Sequence, residues 1–134
     1  MGGMKRTLLS IGLIVALVAP AAAAAGSPLE GRWRNGKMEI EIDRCGQALC
    51  GTIVKASAKA QAKAQKGSGT DLIGARLIEN IRPAGGNSYK ARVFLADRNM
   101  HATGTIRQVS NDRLAVRGCA FVILCRSATW DRVR

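Results

Sequence analysis

Apolar and polar residues alternate strictly over residues 37–43. Met38, Ile40 and Ile42 fall on one face of an extended chain, and the residues between them are charged: Lys37, Glu39, Glu41 and Asp43. A period of two predicts a strand with one buried face. A second β-rich run over residues 49–56 follows the short segment 45–50, so the two runs together predict a hairpin.

Five later runs have the same β-strand character: 75–81, 88–96, 101–109, 113–118 and 127–133. The segments between them are rich in Gly, Pro, Asn, Asp and Ser, which form turns. With the short stretch 31–34, the count reaches about eight antiparallel strands in up-and-down order. The sequence therefore predicts an all-β fold. Closure into a barrel removes the exposed edge strands, and a two-sheet sandwich is the alternative.

Residues 55–69, KASAKAQAKAQKGSG, form a low-complexity segment that does not fit this pattern. Alanine, lysine and glutamine favour helix, but alanine recurs at every second position and gives no broad apolar stripe. The segment is therefore predicted to be a solvated loop with one frayed helical turn.

The N-terminal residues 1–25 have the organisation of a signal peptide. Lys5 and Arg6 precede an uncharged apolar run over residues 8–18, and alanines at 21–25 supply the small side chains of a cleavage site. The predicted mature chain starts at Gly26 and forms a single domain, 26–134, without a membrane span. The alternative, an uncleaved anchor, would need about 20 apolar residues. We therefore expect a periplasmic or secreted protein.

All four cysteines lie in the predicted mature chain, and an oxidising compartment makes disulfides the expected state. Cys45 and Cys50 enclose four residues, and Cys119 and Cys125 enclose five. Each pair could close a local turn, so the prediction is Cys45–Cys50 with Cys119–Cys125, and cross-pairing is the alternative. A zinc site is not predicted, because neither spacing is the two-residue kind found in zinc ribbons.

The sequence contains few sets of residues that could form a catalytic site. His101 is the one histidine of the chain, and it would need a serine and an acid beside it to form a triad. The serines lack the G-x-S-x-G context of a nucleophile elbow. Glu39, Glu41 and Asp43 are typical of the solvent-exposed side of a half-buried strand, where such acids pair with arginines of neighbouring strands. No enzyme activity, metal or cofactor is predicted.

Four motifs together resemble one protein family: Gly31-x-Trp33, Cys45-Gly46-x-x-Leu49-Cys50-Gly51-x-Ile53, Leu114-x-Val116-x-Gly118-Cys119 and Thr129-Trp130-x-Arg132-Val133. With these motifs the mature chain resembles the domain of unknown function 2147 (DUF2147) family of small exported bacterial proteins. The resemblance implies a lipocalin-like, calycin-type antiparallel barrel. It implies no catalytic residues.

The implied fold favours a binding protein for a small apolar or amphipathic ligand. An eight-stranded barrel holds its own side chains or one small ligand. The side chains predicted to face a pocket are Trp33, Ile40, Val93, Leu95, Ile106 and Trp130. The strands that carry Trp33 and Trp130 would be neighbours in a closed barrel, so the two indoles could instead plug one end of the core. Four small residues lie at predicted interior positions: Ala91, Ala102, Gly104 and Ala115. They could either leave a cavity or let the strands pack closely, and the sequence does not decide between the two.

A strong basic excess suggests a second function class. The formal net charge is +12, and removal of Lys5 and Arg6 would leave +10. Export argues against nucleic acid as the partner, and the excess could serve solubility alone. The alternative function is an envelope-associated interaction module. Its cationic outer surface, including residues 55–66, would contact anionic envelope components or a protein partner. The sequence does not predict the oligomeric state.

Overall fold

The computed structural model describes residues 26–121 and 124–134, together with Gly3 and residues 12–14. The predicted signal peptide, 1–25, otherwise lies outside the described residues. Among the residues described, no helix is both long enough and apolar enough to cross a membrane.

Eight strands and one helix form the fold. In chain order they are β1 (Gly31–Asn35), β2 (Met38–Cys45), β3 (Ala48–Lys55), α1 (Ala58–Ser68), β4 (Arg76–Gly85), β5 (Ser88–Leu95), β6 (Met100–Ser110), β7 (Arg113–Phe121) and β8 (Leu124–Arg132). Each strand pairs antiparallel with the next, and β8 pairs with β1. The sheet is therefore a closed up-and-down barrel, as the strand pattern predicted, and not a sandwich.

The barrel has two different ends. We call one the helix end, because α1 connects β3 to β4 there, beside the β1–β2, β5–β6 and β7–β8 turns. The other is the terminal end, where β1 begins and β8 stops, beside the β2–β3, β4–β5 and β6–β7 turns.

The middle of the barrel is filled by large apolar side chains. Six isoleucines are at most 2% exposed: Ile40, Ile42, Ile53, Ile78, Ile81 and Ile106. Ala91 and Ala102 are also buried, and a Cβ added at Gly104 would lie 2.6 Å from Val93 Cγ2. The small residue at 104 therefore lets Val93 pack closely. Ala115 differs from the prediction, because it lies between the buried Leu114 and Val116 and so faces outward.

The terminal end is closed by the segment that precedes β1. Leu29 is fully buried, and the Trp33 indole Nε1 donates a hydrogen bond to the Leu29 carbonyl at 2.8 Å. The Arg132 guanidinium lies 4.2 Å from the Trp33 ring centroid and donates to the carbonyls of Pro28 and Glu30 at 2.8 and 3.0 Å. We call residues 28–30 the plug. Arg132 on β8 thus contacts both the plug and Trp33 of β1, and it links all three segments.

The β1–β8 seam is short. Two pairs define its register, Trp33 with Arg132 and Arg34 with Asp131, whereas β1 pairs with β2 at five positions. The predicted pairing of the two tryptophan-bearing strands is confirmed. Both indoles are buried, with Trp33 at 0% and Trp130 at 5% exposure.

The prediction of a loop over residues 55–69 is wrong, because Ala58–Ser68 forms α1. The Ser57 side chain caps the first turn by accepting from the Ala60 amide, and Gly69 ends the helix in a left-handed conformation. Ala64 is 2% exposed and belongs to the hydrophobic core. The helix docks without large side chains because small ones let its backbone approach the barrel closely.

Both predicted disulfides are confirmed. Cys45–Cys50 spans the β2–β3 turn, and Cys119–Cys125 joins residues directly opposite each other on β7 and β8. The Cα atoms of the second pair are 4.1 Å apart, near the spacing of a non-hydrogen-bonded antiparallel pair. Each bridge therefore fastens a hairpin whose strands are already neighbours.

Candidate functional site

A crevice lies at the helix end, between α1 and the ends of the strands. Its volume is about 210 Å³. Eight of its lining residues are apolar: Met38, Ala60, Ala64, Leu72, Leu77, Phe94, Leu95 and Ala96. The remaining three are Lys63, Asp97 and Arg126. We call this space the helix-end crevice.

One wall of the helix-end crevice is the small-residue face of α1. Ala60, Ala64 and Gly67 recur at i, i+4 and i+7, so they lie on the same side of the helix. A Cβ at Gly67 would clash with the carbonyl of Asp97 in the β5–β6 turn. The helix therefore touches the barrel at its C-terminal turn, and Ala64 and Ala60 border the opening one and two turns earlier.

The polar residues of the crevice give its rim a positive excess. An Arg126 Nη1 lies 3.4 Å from Asp97 Oδ2, and the two side chains are 47% and 35% exposed. This ion pair compensates one positive charge. Lys63 on α1 supplies a second positive charge at the rim, and this charge takes part in no ion pair with a described residue. An apolar crevice with a cationic rim is suited to an amphipathic anion.

The structure places most of the predicted pocket residues in the core. Trp33, Ile40 and Ile106 are fully buried, and Trp130 and Val93 are 5% and 9% exposed. Of the six predicted residues, Leu95 alone lines the helix-end crevice. Ligand contact by the other five stays a prediction, and what the structure shows for them is packing against neighbouring side chains.

The residues that shape the crevice from α1 were missed by the sequence analysis. Lys63, Ala60 and Ala64 lie in the segment predicted as a loop. The signal was the recurrence of small side chains at 60, 64 and 67, together with Ser57 as a helix cap. An apolar stripe of alanine and glycine has little hydrophobic contrast, so it does not stand out in a pattern of apolar positions.

A second crevice, of about 180 Å³, lies at the terminal end. Its lining residues are Ser27, Arg44, Gln47, Ala48, Leu49, Ile81, Pro83 and Tyr89. It is smaller and has a larger polar share than the helix-end crevice. The filled middle of the barrel separates the two.

The other candidate chemical groups occupy structural positions. His101 is exposed and contacts Phe94, with ring centroids 5.0 Å apart and ring planes tilted by 35°. Glu39, predicted on the solvent-exposed side of its strand, is instead buried at 5% exposure, because the Arg34 guanidinium at 3.2 Å and the Lys55 ammonium at 3.8 Å cover it and compensate its charge. No group of three or more His, Cys, Asp or Glu side chains within residues 26–121 and 124–134 is arranged to hold a metal ion.

Comparisons with known proteins place this geometry in context. A family model described as an uncharacterised protein conserved in bacteria, DUF2147, matches residues 31–132. No curated protein matches the chain. Among solved structures, the chain is similar to HP1028 from the human pathogen Helicobacter pylori, a protein described as belonging to the lipocalin family. The identity is 14%, the TM-score is 0.59, and the similarity covers 79% of this chain and 83% of the other.

Proposed function

This chain belongs to the DUF2147 family of uncharacterised bacterial proteins, and from that membership and its lipocalin-like barrel we propose that it is an exported, non-enzymatic binding protein for a small amphipathic anion. The observation that carries the proposal is the helix-end crevice, which is apolar inside and cationic at its rim.

The size of the crevice limits the ligand. Pockets for drug-sized molecules measure roughly 300–1,000 Å³, and this one is smaller. A volume of about 210 Å³ holds about seven groups the size of a water molecule, at about 30 Å³ each. A methylene is of similar size. The crevice therefore matches an alkyl tail of about seven carbons, with the anionic group at the rim beside Lys63.

Sodium octanoate is a suitable probe, because its tail has seven carbons beyond the carboxylate. Binding can be followed from backbone amide shifts by NMR, using the amides of Ala64 and Leu95 as reporters. Tryptophan fluorescence is a poor readout, because Trp33 and Trp130 are buried toward the terminal end. We expect a dissociation constant on the order of 1 mM, since burial of several methylenes is offset by the cost of association.

Chain length supplies a first internal test. From butanoate to octanoate each added methylene should strengthen binding by about fourfold, the equivalent of about 0.8 kcal/mol. Beyond octanoate the gain should stop, because the crevice is then full. Octanol, which has a similar tail without the charge, should bind more weakly.

Two matched pairs of variants on α1 supply the second test. Ala60→Phe fills the crevice and should abolish octanoate binding, whereas Ala62→Phe, on the exposed face of the helix, should not. Lys63→Gln should weaken binding by up to about fivefold, the range of an exposed ion pair, and Lys59→Gln should leave it unchanged. Equal effects of the two phenylalanine variants, or shifts confined to the terminal end, would overturn the proposal.

A further inference from the structure

The outer face of strands β4–β8 carries basic residues in cross-strand rows. One row runs from Arg82 to Lys90, Thr105, Arg117 and Ser127, each directly opposite the next on the neighbouring strand. A second row contains Arg107, opposite Ser88 and Ala115, and a third contains Arg92, opposite Glu79 and Thr103. The five basic side chains are exposed. We call this surface the basic face.

The basic face differs from the opposite side of the barrel in how its charges are paired. On β1–β3, Glu41 pairs with Arg32, and Glu39 pairs with both Arg34 and Lys55. On the basic face, none of the five basic residues forms an ion pair with a described residue, and Glu79 is the one acid in its rows. The five basic residues therefore give this face a positive charge that no ion pair with a described residue compensates.

Small side chains lie between these basic residues. Thr105, Ala115, Ser127 and Thr129 lie in a shallow depression of about 670 Å³, flanked by Arg107 and Arg117. Guanidinium groups bind phosphate through paired N–H donors, and the hydroxyls can donate to further phosphate oxygens. The chemistry of the depression therefore fits phosphate groups.

The spacing of the charges favours an array of phosphates over a single one. Neighbouring strands lie about 4.8 Å apart, so the backbone separation ranges from about 5 Å between Arg82 and Lys90, which are directly opposite, to about 14 Å between Arg82 and Arg117, three strands apart. One phosphate can meet two neighbouring basic residues, such as Arg107 and Arg117, but it cannot meet all five. Laterally mobile lipid headgroups can meet each residue separately.

An exposed apolar side chain distinguishes a lipid surface from a soluble acidic polymer. Val109 is 52% exposed, lies two residues after Arg107 on β6 and borders the same depression. Its transfer from water into a lipid interface is favourable, whereas a soluble polyanion offers it no apolar surroundings. We propose that the basic face docks on a membrane surface rich in anionic phospholipid. This inference is independent of the helix-end crevice.

Vesicle co-sedimentation tests the proposal directly. Vesicles of 30% phosphatidylglycerol in phosphatidylcholine should bind the protein, and vesicles of pure phosphatidylcholine should not. Arg107→Gln combined with Arg117→Gln should reduce binding by about 25-fold, since each basic residue at an anionic surface contributes about fivefold. The matched control, Lys37→Gln with Arg44→Gln, removes the same charge from the β1–β2 side and should cost less than about threefold.

A soluble polyanion separates the two sources of phosphate. Val109→Gln should weaken vesicle binding and leave binding to polyphosphate unchanged. Three results would each overturn the proposal. The first is no binding to the anionic vesicles, the second is an equal loss in both double variants, and the third is complete displacement from vesicles by inorganic phosphate at equal phosphorus and ionic strength. Unchanged circular dichroism would establish that the variants are folded.

Discussion

Arg132→Ala should destabilise the barrel more than alanine substitution of any other arginine on β7 or β8. The side chain is 21% exposed and makes several contacts at once. Its guanidinium stacks on Trp33 and donates hydrogen bonds to the carbonyls of Pro28, Glu30 and Asn111. The variant loses all of these contacts, including the two hydrogen bonds that join β8 to the plug at the terminal end.

The magnitude follows from those contacts. A hydrogen bond from a charged donor contributes about 1.5–3 kcal/mol, and solvent access to the Pro28 and Asn111 carbonyls reduces their share to well below that range. Stacking of a guanidinium on an indole adds about 0.5–2 kcal/mol, according to its exposure. A total of about 2–4 kcal/mol is therefore expected. For a domain of this size, that total corresponds to a fall in Tm of about 8–16 °C.

Thermal unfolding by circular dichroism measures the effect, and Arg113→Ala is the matched control. Arg113 pairs with Asp131 on the surface, with side chains 57% and 60% exposed, so its loss should cost at most about 1 kcal/mol. Arg132→Lys keeps the charge but lacks the planar donor group, and it should recover less than half of the loss. A Tm for Arg132→Ala within 2 °C of the control, a difference of about 0.5 kcal/mol, would refute the reasoning.

Three further predictions concern other parts of the chain. Replacement of Cys119 and Cys125 together by serine should lower the free energy of unfolding by about 2 kcal/mol while the barrel still folds, which denaturant titration can measure. Gly67→Ala should lower Tm despite the higher helix propensity of alanine, because its methyl group meets the Asp97 carbonyl, and a rise in Tm would show that α1 is not docked there. N-terminal sequencing of the exported protein should begin at or near Gly26, and an intact leader in a membrane fraction would contradict export.

Local patterns were sufficient to predict the strands. The alternation of Met38, Ile40 and Ile42 depends only on the pleat of the chain itself. In the structure Ile40 and Ile42 form the buried side of β2, whereas Met38 is partly buried and the register shifts between Glu39 and Ile40. Closure was also predictable, because the terminal strands of an up-and-down sheet leave unpaired edges unless they meet. Cys119 and Cys125 could be paired from spacing because a hairpin brings them opposite each other.

The site was not predictable by the same means. Ala64 belongs to the same core cluster as Ala96, which is distant in sequence and meets α1 only in the folded barrel. Whether Ile40 and Ile106 surround a cavity or fill it depends on the volume left between facing strands. An apolar position can be predicted from a pattern, but empty space beside it depends on every neighbouring side chain.

The short β1–β8 seam determines where this barrel opens most readily. Every other strand pair shares a longer ladder, so separation of β1 from β8 breaks the fewest backbone hydrogen bonds. Native-state hydrogen exchange should therefore show sub-global opening at this seam, with β1 amides that face β8 exchanging well before those of β6. Trp33 and Arg132 form one of the two pairs in the seam, so their contact contributes to the free energy of that opening.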